Sequence, residues 1–226
     1  MHIEIPKVST HSFKEFAKHY LMIVLSILTA LGLEAWIEHT HHEHAAASAS
    51  AQIENELRGA LADVRSSLKT NEERFQPMRD LDAAITKDIR EGVPAATINQ
   101  HIQARKDDFG LSLNWPVFAS QAWDVSVANQ SASWVDAAKL RQYSAAYAEL
   151  RDAASWMTHD STITLDAPHM STLRTRVTLG MEVDPVEYLV VLRQMINVTT
   201  QTQSHLRQLE AHLVKSVPAI VGKAQS

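Results

Sequence analysis

The chain reads as all-α: one N-terminal transmembrane helix continuing into an elongated helical bundle of about six further helices. Six Gly and seven Pro in 226 residues are too few for a turn-dense sandwich or barrel. Apolar residues recur at three- and four-residue spacing along most of the length. No pair of alternating runs joined by an Asn-Gly or Asp-Gly turn is present. Ser161–Leu165 is the one candidate strand, and a lone strand has no sheet to join.

The first element is a membrane span at residues 16–37, preceded by a short tail, 1–15. Ser12-Phe13-Lys14-Glu15 fits a capping box at its entry. Tyr20 to Leu33 carries no charge, and the 22 residues from Phe16 to Ile37 rise about 33 Å as a helix against a hydrocarbon core of about 30 Å. Tyr20 and Trp36 fall near opposite interfaces, and Lys18 can reach back towards headgroups. Lys7, Lys14 and Lys18 precede the span, and no Lys or Arg follows until Arg58. That asymmetry predicts a cytoplasmic N-terminus, with the bulk of the chain periplasmic or extracellular and the span in the inner (cytoplasmic) membrane. A cleaved signal is the competing reading. Ala47-Ser48-Ala49 and Ala49-Ser50-Ala51 offer cleavage patterns, but they end 16 and 18 residues beyond Leu33, too far from the apolar run.

A His/Ala/Ser stretch at 38–52 follows. His39, His41, His42 and His44, beside Glu38 and Glu43, are the densest group of metal-ligand types in the chain. His39 with His42 and His41 with His44 share a helix face, so each pair offers two imidazoles to zinc, copper or nickel. Two ligands are half a closed site. The preferred reading is a solvated stretch near headgroups, with metal handling as the weaker alternative. His205 and His212 lie about 10 Å apart along their helix, too far to share an ion.

The extracytoplasmic domain is read as 53–217, with a tail at 218–226. Leu57, Leu61, Val64, Leu68, Asn71 and Phe75 form a coiled-coil-type seam for a helix of the same chain or of a second copy. Pro77 is expected to break or kink this helix, which resumes through Met78, Leu81, Ile85 and Ile89 to a Glu91-Gly92 stop. Short helices are expected at 95–107 and from Asn114 to about Asn129. Ser133-Trp134-Val135-Asp136 then caps an Ala-rich helix to about Met157, with Trp134, Leu140, Tyr143, Tyr147 and Leu150 at core spacing. Pro168 opens a helix ending near Gly180. Asp184-Pro185-Val186-Glu187 opens the last, with its seam at Leu189, Leu192, Ile196, Thr199, Gln203, Leu206, Leu213 and Val217.

The run LMIVLSILTALGLEAWIEH at 21–39 and the block from Trp123 to Tyr147 resemble an uncharacterised group of small bacterial single-pass membrane proteins. In that group a transmembrane helix ends in Trp-x-Glu, here Trp36-Ile37-Glu38, before a helical extracytoplasmic domain. The resemblance implies topology and class; it brings no activity and no functional residue.

Zero Cys removes thiolate metal sites, disulfides and cysteine nucleophiles. A net charge of −5 without a basic run argues against nucleic acid. Ser66-x-x-Lys69 has the spacing of a serine–lysine pair but lacks the accompanying Ser-Asp-Asn and Lys-Thr-Gly elements. The expectation is a protein that is not an enzyme and uses no cofactor: an interaction or scaffold protein of the bilayer that acts as a homo-oligomer or within a membrane-protein complex. Ser26 and Ala30 in the span, with Leu57, Leu61, Val64 and Leu68 beyond it, are the candidate association residues. A ligand-sensing module acting through a membrane partner is the alternative, and the Trp residues of the middle third could line its cleft or fill the core.

Overall fold

A computed structural model describes residues 10–165 and 168–220. Among them the regular structure is helical. Six α-helices run in the order α1 (Thr10–Arg90), α2 (Ala95–Ala104), α3 (Gln121–Ala128), α4 (Ala137–Leu165), α5 (Pro168–Thr178) and α6 (Pro185–Ser216), with single 3-10 turns at Lys106–Asp108, Ser131–Trp134 and Pro218–Ile220. Five α-helices therefore follow the first, because the segment expected as a separate helix after Pro77 is continuous with α1.

α1 has 81 residues and is about 120 Å long. The other described elements pack on α1 from about His42 onward. α6 runs antiparallel to it, as Arg193 to Asp82, Arg207 to Glu72 and Arg65 to Glu210 show. α4 runs alongside α1 and antiparallel to α6, with Tyr143 and Tyr147 on Glu54 and Glu56, and His212 on Glu149.

Two apolar cores are stacked along α1. The one nearer the apolar end joins Ile53, Leu57, Leu61 and Val64 to Tyr143, Tyr147 and Leu150 of α4 and Leu206, Leu209 and Leu213 of α6. The other joins Met78, Leu81 and Ile85 to Ile98 and Ile102 of α2, Leu173 and Val177 of α5, and Tyr188, Val191, Leu192 and Met195 of α6. Between them lie buried polar groups: Ser67 and Asn71 on α1, and Thr199, Thr202 and Gln203 on α6.

The helix ends follow local chemistry. Asp184 caps α6, its Oδ1 accepting from the backbone N–H groups of Val186 and Glu187, with Pro185 just inside. Gly92 and Gly180 end α1 and α5 in left-handed conformation, at φ 69° and 72°. Each completes a Schellman pair, Val93 N–H to Asp88 O with Gly92 N–H to Ile89 O, and Met181 N–H to Arg176 O with Gly180 N–H to Val177 O.

Several boundaries differ from the sequence reading. α1 continues through Pro77, although that residue has no N–H to give the preceding turn. Phe75 and Met78 on either side are buried, and Arg105 donates to the Pro77 carbonyl at 3.1 Å, so packing overrides the local preference. Ser12 lies inside the helix rather than at its cap. α2 stops at Ala104 and a 3-10 turn follows. Asn114 is not a helix start, because Asn71 holds both its backbone N–H and its C=O and Pro116 disfavours helix at Trp115; α3 begins only at Gln121. Ser133 lies in a 3-10 turn, and Asp136 is the cap of α4, its Oδ1 accepting from Ala138 and Lys139. Ser161–Leu165 is the end of α4 rather than a strand. Position 218 begins a 3-10 turn, and Ile220 is buried in the core nearer the apolar end of α1.

Candidate functional site

The site begins with the apolar end of α1. Its most apolar window has a mean hydropathy of 1.9 and buries nothing within the protein, so by length and composition this helix can cross a membrane. Its polar groups are satisfied internally: Ser26 and Thr29 donate to the carbonyls of Met22 and Leu25, each at 2.8 Å. Hydroxyls folded back on their own helix are compatible with hydrocarbon surroundings. Ala30 beside Ser26 is exposed. Tyr20 and Trp36 are exposed near the two ends, with the Phe16 ring 6.4 Å from that of Tyr20. Lys18 is exposed one turn before the uncharged run.

The helix does not pause after its apolar end. The 38–52 stretch is helical throughout, and Ala49 already belongs to the core. His39 faces Glu43 at 3.3 Å and His42 faces Glu38 at 3.9 Å, so these two rings pair with carboxylates one turn away. His41 and His44 are exposed. Among the described residues no three His, Cys, Asp or Glu side chains converge as a metal ion needs.

His42 has a second neighbour that no periodicity indicated. The Trp134 indole stacks on its ring, with centroids 3.4 Å apart and planes at 10°. Trp134 therefore is not a core residue of the Ala-rich helix. It sits in the 3-10 turn before α4, 48% exposed, with its ring on His42. Gln130 makes this turn possible by adopting φ 63°, a conformation that non-glycine residues seldom take.

Two glutamates above this point fix the bundle to α1. Glu56 accepts from the Tyr147 hydroxyl at 2.5 Å and from the Ala122 backbone N–H at the start of α3 at 3.0 Å. Glu54 accepts from Tyr143 at 2.8 Å, with the Lys139 ammonium 3.9 Å away. Burial, reinforced by the Glu54 hydrogen bond, pushes the Tyr143 phenol up to about 12, and burial beside Glu56 raises that of Tyr147 further.

Of the association residues, Leu57, Leu61 and Val64 are buried against α4 and α6 of the same chain, and Leu68 is partly buried beside them. The remaining aromatic residues are packing: Trp123 lies 5.4 Å from Tyr147, Trp115 lies 6.1 Å from Trp156, and Trp156 lies 4.9 Å from His205. Ser66 and Lys69 are both exposed on the regular helix. No protein-family model, curated protein or solved structure matches this chain.

Proposed function

We propose that this is a single-pass membrane protein of the inner (cytoplasmic) membrane, spanning at residues 16–37 with its N-terminus in the cytoplasm, whose helical domain serves as a non-enzymatic interaction or scaffold platform outside it. The observation that carries the reading is the continuity of α1, which is bare and apolar at one end and forms the central wall of the bundle at the other. A platform on such a helix is held at fixed height and orientation over the bilayer. The three lysines before the span and the absence of Lys or Arg until Arg58 support the orientation, and so does the resemblance through Trp36-Ile37-Glu38. Because the 57–68 seam is closed within one chain, association between copies falls to Ser26 and Ala30 in the span, where small side chains let backbones approach.

Single cysteines at Ser9 and Ala47 of the otherwise cysteine-free chain test the topology in intact cells. Position 47 is expected to react with an impermeant reagent and position 9 to be protected; the reverse pattern overturns it. Crosslinking of the full-length protein in native membranes tests the platform role. A defined homo- or hetero-complex is expected, and a chain that stays monomeric in membranes and in mild detergent rejects it.

A further inference from the structure

We propose that the turn carrying Trp134 is a second lipid-contacting point, which seats the membrane-near end of the bundle in the phospholipid headgroup layer; this rests on the reading of α1 as a membrane span. The argument is one of depth. His42 follows Ile37, the end of the apolar span, by five residues, a rise of about 7–8 Å along α1. The headgroup layer on each side of a bilayer is about 5–7 Å thick. Trp134 lies flat against His42, so its indole sits at the outer edge of that layer.

The chemistry fits that depth. An indole is an amphipathic ring that favours the membrane interface, and Trp134 is 48% exposed. Val125 and Val127, on the α3 turns leading down to it, are more than half exposed. Trp36 supplies the first aromatic contact, on the spanning helix, and Trp134 adds one from a different part of the chain. The charged side chains that α1 places around this level, Glu38 and Glu43, are acidic, as is Asp136, and α1 carries no Lys or Arg between Lys18 and Arg58; Lys139 and Arg141 of α4 lie beside Asp136 and Ser133. A half-exposed indole beside carboxylates suits the cationic end of a choline or ethanolamine headgroup.

The test uses full-length protein in phosphatidylcholine vesicles, with single nitroxide-labelled cysteines at Leu28, Ser133 and Lys87, and accessibility to oxygen and to a water-soluble nickel chelate as the measure of depth. The Leu28 label is expected in hydrocarbon, the Ser133 label at headgroup depth and the Lys87 label in water. Adding Trp134→Ser is expected to raise the nickel accessibility of the Ser133 label at least twofold, and Trp134→Tyr to leave it at headgroup depth. A Leu28 label in hydrocarbon with a Ser133 label as wet as that at Lys87 overturns the docking and leaves the anchor standing. A Leu28 label in water overturns both. If Trp134→Ser leaves the helix content intact and the Ser133 label unmoved, the indole is not the contact and the proposal fails. If that variant does not fold, the depths at Ser133 in the native and Trp134→Tyr proteins decide alone.

Discussion

The side chain of Asn71 and the backbone of Asn114 form a reciprocal pair: Asn71 Nδ2 donates to Asn114 O at 2.9 Å, and the Asn114 N–H donates back to Asn71 Oδ1 at 2.6 Å. A side-chain amide here does for an irregular segment what a neighbouring strand would do, satisfying one donor and one acceptor at once. Asn99 repeats the device on Val183, at 3.0 and 2.9 Å. The two asparagines fasten the long connections to the helical frame.

Asn71→Leu is expected to cost about 2–4 kcal/mol, because it leaves both Asn114 groups without partners at a partly buried position. Denaturant titration of the full-length protein in detergent measures it. A loss well under 1 kcal/mol would show that water replaces the pair.

The seam on α1 gives a second prediction. Leu61→Ala removes a buried side chain between α4 and α6 and is expected to destabilise by about 2–5 kcal/mol, and Leu61→Asp to abolish the folded bundle. A Leu61→Asp chain that keeps its helix content but changes its oligomeric state would place the seam between copies instead.

Alkaline pH should loosen the contact between α4 and α1. Below pH 10 the Tyr143 phenol is neutral both folded and unfolded, so its hydrogen bond to Glu54 is intact. Above its ordinary value of 10.0 the unfolded chain releases a proton that the folded chain keeps until about 12. The folded state binds more protons in this window, so stability falls as pH rises from about 10 to 12. Tyr147, raised further in the same direction, continues the loss. Unfolding midpoints measured across this range should fall less steeply in Tyr143→Phe than in the native protein; identical slopes would remove Tyr143 from the account.

Gly59 inside α1 and Gly92 just past its end should respond with opposite signs. A Cβ at Gly59 or at Gly92 meets nothing within 4 Å, so only backbone conformation matters. Gly59→Ala in the helix interior is expected to stabilise by about 0.5–1 kcal/mol. Gly92→Ala, forced to hold φ 69°, is expected to destabilise by about 1–2 kcal/mol. Melting of the two variants side by side checks the pair, and a shift in the same direction for both contradicts it.

The parts legible in the sequence were those with local or periodic signals. The apolar run, the Asp184-Pro185 cap, the stop at Gly92 and the two seams each depend on residues within a turn or on a repeat of three and four. The sequence could also show that α1 carries a partner-seeking face, but not whose; the folded chain supplies α4 and α6. What escaped were pairings between distant segments. Asn71 reads as a seam position and Asn114 as a cap, and nothing local links them. Trp134 reads as core because it leads an apolar series that continues through Leu140, Tyr143, Tyr147 and Leu150, whereas the turn set by Gln130 aims it at His42. Pro77 misled for the opposite reason: its local rule is strong, and packing on both flanks outweighs it.

With α1 crossing the membrane as proposed, its unbroken passage from span to bundle has a torsional consequence. At about 100° per residue, Ala30 and Val64, 34 positions apart, lie about 160° out of phase, so the bundle hangs on nearly the opposite side of the axis from the small-residue face of the span. Turning the span about its long axis swings the bundle through the same angle, as a key turns its bit. Deleting one residue between His39 and Ala45 rotates the bundle by about 100° and lowers it by about 1.5 Å, while deleting seven nearly restores its azimuth and lowers it by about 10 Å. Height above the bilayer and compass bearing around the axis are thus set by the same few residues, and the length of that segment is a dial for both.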